Sequence, residues 1–466
     1  MSTQEKALAI NLDSATFGTF AEIGAGQEVA RWFFHVGHAS ATVAKSMSAY
    51  DMVISDIIYG AADRYVSRAR LESMLDHEWA QLLERLDPVR GERTCFFVFA
   101  DTVATRSRTR NQTGQGWMGV RFQHEPRAPY SEIVIHVNLL DQVPVGEQES
   151  LGVLGVNLVY GAFHQRDSQG LMKMLMEGLS RLRVDIDMIK FSGPAFKHID
   201  NRLASLQLVE LDLTDSTMFT AQGDVVQPAE VLYEKPVLIF RGRFRPITNV
   251  GIDMLDGAAE RFSKIPEVNV DPVVLMGMTL RDLDTGHGID PHDFLARADM
   301  LAALGKTVMV TNFRRFDNVT TSLRRYTRQW LGFVMGVPTL RAVFDEQYYA
   351  NLPGGILEGL GRLFQGNVRL YVYPTRAHTG GKVATSSTLE VAPHLQHLLA
   401  YLRERGEIEA MESFDSRQLH MLPDEVLAAI QNGTPGWEQY LPPQAAEVIK
   451  QRALFGYHQP AAAAVS

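Results

Sequence analysis

PVLIFRGRFRPITNVGIDMLDGAAERF, residues 236–262, is the stretch on which the reading of this chain turns. Residues 236–240 are a short apolar run of strand type. Gly242 follows, where the backbone can turn tightly and approach a ligand closely. Thr248 and Asn249 then stand where a helix would start, ahead of apolar residues at helical spacing over 252–262. The free N–H groups and the macrodipole at such a helix start favour an anion. Arg241, Arg243 and Arg245 add planar cationic forks at the same place. The set Arg241, Gly242, Arg243, Arg245, Thr248 and Asn249 is therefore a candidate phosphate cradle. The same residues also suit a plain strand–turn–helix in which Thr248 or Asn249 is only the N-cap.

Outward from this segment, the second half of the chain alternates. Helix 252–262 is followed by strand 272–279, helix 291–304, strand 307–311, helix 319–335, strand 367–373 and helix 393–405. That order implies a parallel sheet covered on both faces. The tail holds helices at 423–431 and 444–453. Upstream, 27–36, 40–59 and 67–86 read as helices, followed by strands at 94–100, 116–122 and 132–138. Helices at 148–164 and 170–182, strand 184–189, helix 201–211 and an extended stretch at 231–240 complete the first half. The fold class expected is α/β and two-lobed. The C-terminal lobe carries a Rossmann-like parallel sheet, the N-terminal region is helical and the tail is helical. The expected divisions are 1–230, 231–405, 406–458 and a disordered 459–466.

A length of 466 residues exceeds one ordinary core, which supports two domains. A net charge of −9 argues against nucleic acid as a partner. A single cysteine, Cys95, excludes an internal disulfide and a cysteine-based zinc site, and its apolar surroundings suit packing. The start, MSTQEKALAINLDS, lacks the basic-then-apolar order of a signal peptide, and the longest apolar stretch is too short to cross a bilayer. A cytoplasmic protein with no membrane partner is expected.

Further candidates lie elsewhere. Asp101 ends an apolar strand, and Arg106, Arg108 and Arg110 follow, a set suited to a phosphorylated ligand or to a solvated loop. Ser192, Gly193 and Lys197 form a turn after a strand, which could hold a ligand or lead into the next helix. Glu22 and Gly24-Ala25-Gly26 resemble the first motif of Rossmann-like methyltransferases, without its third glycine; a turn opening a buried helix fits as well. The crowded loop holding Asp282, Asp284, His287, Asp290, His292 and Asp293 could ligate a hard cation, but Asp290-Pro291-His292-Asp293 is also a helix start. No set stands out as a metal site.

The turn at 242–251 resembles the phosphate-binding loop of nicotinamide and nicotinate mononucleotide adenylyltransferases, Gly-x-Phe-x-Pro-x-Thr/His-x-x-His. The resemblance runs through Gly242, Phe244, Pro246 and Thr248, while the family's last catalytic His falls on Gly251. Over nearly its whole length, from Phe20–Arg31 to Leu454–Tyr457, the chain resembles a family of bacterial proteins of similar length. Its members are inconsistently named nicotinate-nucleotide adenylyltransferase or TonB-dependent receptor. The resemblance implies a nucleotide-binding protein that transfers an adenylyl group to nicotinate or nicotinamide mononucleotide, with ATP and Mg²⁺ as cofactors. Gly251 in place of His leaves enzymatic activity open. The alternative is a catalytically silent, self-associating scaffold or nucleotide sensor. The expected partners are a nucleotide or phosphorylated ligand and further copies of the chain.

Overall fold

Thr16–Ile23 (β1) is buried from end to end. It runs parallel to Val43–Met47 (β2) on one side and to Cys95–Ala104 (β3) on the other. Gly114–Phe122 (β4), Ser131–Leu139 (β5) and Val184–Ser192 (β6) extend the sheet by antiparallel pairing, in the order β2-β1-β3-β4-β5-β6. The helix Pro144–His164 buries one face, against Phe97, Phe99, Met118, Val120 and Ile135. The other face of β4 meets the helix Arg68–Arg90. There Gly119 leaves room for Leu71 and Leu75, which a Cβ would meet at 3.3 and 2.9 Å. The computed structural model describes residues 1–106, 113–376, 382–412, 414 and 422–458. Arg108, Arg110 and the expected disordered segment 459–466 lie outside the described residues.

The second sheet is built from Ser216–Phe219 (β7), Val225–Val226 (β8), Val237–Arg241 (β9), Val273–Thr279 (β10), Thr307–Thr311 (β11), Leu331–Gly336 (β12) and Val368–Tyr373 (β13). Thr375–Arg376 (β14) and Val383–Ala384 (β15) pair only with each other, and Ile408–Ala410 (β16) closes the sheet at one edge. Its order is β16-β13-β12-β9-β10-β11-β7-β8. The strands from β16 to β11 are parallel, while β7 and β8 are antiparallel additions. Numbered by their sequence order, the six parallel strands run 3-2-1-4-5-6, the doubly wound order of Rossmann-like sheets. Val237, Ile239, Leu331, Phe333, Leu370 and Val372 form the core of one face, with Leu323, Leu360 and Leu399 packed on them. Leu238 points the other way, and Gly332 lets it and Phe262 approach, at 2.7 and 3.1 Å from where a Cβ would stand.

Two compact units result, Met1–Asp215 and Ser216–Ser466. The boundary therefore falls at 215/216 rather than at 230, because β7 and β8 pair into the second sheet. The tail expected to begin at 406 opens with β16, a strand of that same sheet. Two helical expectations are corrected. Residues 40–59 contain the strand β2, then the helix Met52–Tyr59. Residues 319–335 divide into the end of the helix Phe316–Leu323 and most of β12. The extended reading of 231–240 is corrected at its start, where Pro228–Leu232 is a helix. No helix among the described residues is long and apolar enough to cross a membrane.

Candidate functional site

The segment 236–262 folds as its pattern predicts. β9 is followed by a turn at Gly242 and by the helix Asn249–Ser263, with β10 and β12 as parallel neighbours. The reversal of strand order lies between β9 and β12. In open α/β sheets the crevice at the carboxyl ends of such strands is where ligands bind. A cavity of about 460 Å³ opens there, within the size range of small-molecule sites. Its walls come from the ends of four strands: Arg241, Gly242 and Arg243 from β9, Thr279, Arg281 and Asp282 from β10, Arg314, Arg315 and Phe316 after β11, and Pro338, Thr339, Ala342 and Val343 with Tyr348 and Tyr349 after β12.

Five of the lining side chains are arginines: Arg241, Arg243, Arg281, Arg314 and Arg315. They differ in how they are held. Arg315 is fixed by a bidentate pair with buried Asp317, at 2.9 and 3.0 Å. Arg241 donates to the Phe313 carbonyl at 2.7 Å and lies 4.6 Å from the Phe316 ring centre. Its Nη1 is buried without a hydrogen-bond partner. Burial lowers its pKa to about 10, partly offset by the Asp282 charge, so it stays protonated at neutral pH. Arg243 is exposed and faces Asp424 at 3.4 Å. Arg281 and Arg314, both exposed at the cavity, have no hydrogen bond or ion pair among the described residues. The lining carboxylate, Asp282, accepts the Thr279 hydroxyl at 2.6 Å.

A buried guanidinium secures this crevice from behind. Arg297 is 1% exposed and pairs with Asp293 at 2.5 and 2.8 Å. It also donates to the carbonyls of Arg243 and Asp282, at 2.9 and 2.8 Å, tying the turns after β9 and β10 together. Arg245, expected at the phosphate, instead pairs with Asp293 at 2.5 Å. Thr248 is the buried N-cap residue, and its side chain makes no capping bond. Asn249 donates to the Gln439 carbonyl at 2.9 Å. Neither residue lines the cavity. Of the six cradle residues, the structure thus brings Arg241, Gly242 and Arg243 to the crevice and leaves Arg245, Thr248 and Asn249 beside it. Gly251, at the position of the family's His, is buried. A Cβ there would stand 3.2 Å from Ile247 and 3.6 Å from Phe240, so this position faces packed apolar side chains.

Of the other candidates, Asp282 of the acidic loop lines this crevice, whereas Glu22, Asp101, Arg106, Ser192, Gly193 and Lys197 belong to the first unit. Asp101 and Glu22 face each other in register on β3 and β1, both fully buried. Glu22 accepts the N–H groups of Val29 and Ala30, each at 2.9 Å, and so anchors the helix Glu28–His35. Asp101 accepts from Ile23 at 3.3 Å, and its second oxygen has no partner. Burial raises both pKa values: Glu22 to about 7, and Asp101 well above the usual range, aided by the Glu22 charge. Gly24, with φ +100°, lies so close to β3 that a Cβ would stand 1.9 Å from the Val103 carbonyl oxygen. Arg106 donates its backbone N–H to Glu147 at 2.5 Å. Gly193 packs on Tyr130 and Ser131, next to Ser192, and Lys197 is exposed. In the acidic loop, Asp290 caps a helix through His292 at 2.9 Å, and Asp284 accepts from Gly286 and Gly288.

Sequence reasoning missed Arg281, Arg314, Arg315, Arg297 and Tyr349. The Asp293/Arg297 spacing of four on a helix was a usable signal for one of them. A comparison with protein-family models finds no match, and a comparison with curated protein sequences finds none either. Among solved structures, the chain is similar to a competence/damage inducible protein from Agrobacterium tumefaciens. The identity is 16%, over 35% of this chain and 96% of that one, with a TM-score of 0.27. A competence or damage-inducible protein from Enterobacter asburiae gives 12% identity, 35% and 99% coverage, and a TM-score of 0.27. Likeness at this level says nothing of function. The adenylyltransferase resemblance therefore rests on the loop residues alone.

Proposed function

We propose that the second unit binds a nucleotide or similar phosphorylated ligand in the crevice at the carboxyl ends of β9–β12. The observation that carries this reading is the convergence of five arginines on one cavity at the switch point of a Rossmann-ordered sheet. Arginine forks match phosphate oxygens in pairs. Two of them, Arg281 and Arg314, have no ion pair among the described residues, which favours an anion from outside. Phe316, Tyr348 and Tyr349 supply aromatic surface on the same walls, suited to a base.

Binding without adenylyl transfer is the form of this reading that Gly251 favours. The side chain that would stabilise charge in the transferase has no counterpart, and its position points at Ile247 and Phe240. The test is a thermal-shift panel of ATP, mononucleotides and dinucleotides, with pyrophosphate release measured from ATP plus nicotinate mononucleotide. Stabilisation by nucleotide with no pyrophosphate is expected. Pyrophosphate release would restore the transferase reading, and the absence of any shift would remove the nucleotide.

A further inference from the structure

Resting on the phosphate-binding reading of the same crevice, we infer that its ligand is taken as a metal-free polyanion, a chain of linked phosphates, and not as a magnesium complex. The charge balance of the walls is the first observation. Five guanidiniums face the cavity; Arg315 is paired with Asp317 and Arg243 with Asp424, and among the described lining residues Asp282 is the one carboxylate, so the cations Arg241, Arg281 and Arg314 exceed it. Guanidinium does not lose its proton in a protein, so this excess is constant across neutral pH.

The sparse supply of metal ligands is the second. Magnesium–phosphate sites hold the ion through one or two carboxylates as well as the phosphates. Here Asp282 is the one carboxylate on the walls, one of its oxygens accepts the Thr279 hydroxyl at 2.6 Å, and no group of three or more His, Cys, Asp or Glu side chains able to hold a metal ion stands among the described residues. The Asp282 carbonyl is held by Arg297, which fixes the segment in place. A divalent cation in this cavity would meet arginines on several walls and find little to bind it.

The third observation is the unmet demand for anion. Arg241 has a buried nitrogen without a partner, and Arg281 and Arg314 have no ion pair among the described residues. A single phosphate brings at most two charges and a small set of oxygens. A phosphate chain can engage arginines from several strand ends at once. Magnesium on that chain would cancel the charge the arginines recognise and occupy the oxygens they would bond.

The experiment is isothermal titration of the full chain at one fixed ionic strength. ATP, AMP and inorganic tripolyphosphate are each titrated with EDTA present, and ATP again with excess Mg²⁺. ATP in EDTA is expected to bind at least tenfold more tightly than ATP with Mg²⁺, and more tightly than AMP. Tripolyphosphate equal to ATP would identify the phosphate chain as what is recognised. ATP tighter than tripolyphosphate would add the base. Both support the inference. Equal or tighter binding with Mg²⁺, or AMP matching ATP, overturns it while leaving a phosphate site in place. No binding of any compound in either buffer overturns the phosphate reading itself. The Arg281→Ala/Arg314→Ala double variant gives the control: its preference for metal-free ATP should shrink, and an unchanged preference counts against the arginines as its source.

Discussion

Arg281 and Arg297 carry the same group and should answer mutation in opposite ways. Arg281 and Arg314 are exposed at the cavity and make no hydrogen bond or ion pair among the described residues, so Arg281→Ala or Arg314→Ala should leave the unfolding midpoint unchanged. Each should weaken nucleotide binding by about 1–3 kcal/mol, the scale of a charge-assisted hydrogen bond. Arg297 is buried against Asp293, and Arg297→Ala leaves Asp293 with Arg245 as its ion-pair partner and takes the donor from the Arg243 and Asp282 carbonyls. A loss of roughly 1–3 kcal/mol in stability is expected from urea unfolding. The buried pair Glu22 and Asp101 gives a pH dependence. Both hold protons in the folded chain at pH values where the unfolded chain has released them, with Glu22 moved from 4.5 to about 7. Their contribution is therefore most favourable below the unfolded range, and stability falls as pH rises through about 7. Urea midpoints at about pH 5 and about pH 8 should show that fall, and a smaller one in Asp101→Asn. Parallel profiles for variant and parent would mean the pair does not titrate in this window.

At the scale of elements, the strand–turn–helix at 236–262 was legible because three local signals agree. An apolar run, a glycine and polar residues at a helix start come in the order that such a unit requires. β12 was not legible. Residues 331–336 follow a helix closely, and their alternation is masked by Gly332 and Gly336, so they read as a continuation of it. β1 was missed for a related reason: glycine and threonines between its apolar residues hide a strand that sheet pairing on both sides buries. Losing β12 from the reading also loses the crevice, since one of its walls follows that strand. The loop makes a prediction of its own. Gly251→His, which completes the adenylyltransferase pattern, pushes an imidazole toward Ile247 and Phe240. It should cost about 1–3 kcal/mol of stability through overpacking and should not raise pyrophosphate release. A stable variant with new turnover would show that the position can turn toward the ligand.

Across the whole molecule, the site depends on chain topology more than on any motif. Arg241, Arg281, Arg314 and Tyr349 lie up to 108 positions apart, and the parallel order of four strands brings their carboxyl ends to one side of the sheet. A single sequence marks the apolar strands but not which ones become neighbours, so Arg241 stood out beside its glycine while Arg281 and Arg314 carried no local signal. Each unit carries its own sheet and core, so a ligand held by the second should protect that unit. Hydrogen–deuterium exchange of the full chain, with and without saturating ATP in EDTA, reads this directly. Slower exchange is expected at 241–245, 279–284, 312–318 and 336–349, with residues 1–215 unchanged. Protection within 1–215 alone, or none at these four strand ends despite measurable binding, would contradict the assignment of the crevice as the phosphate site.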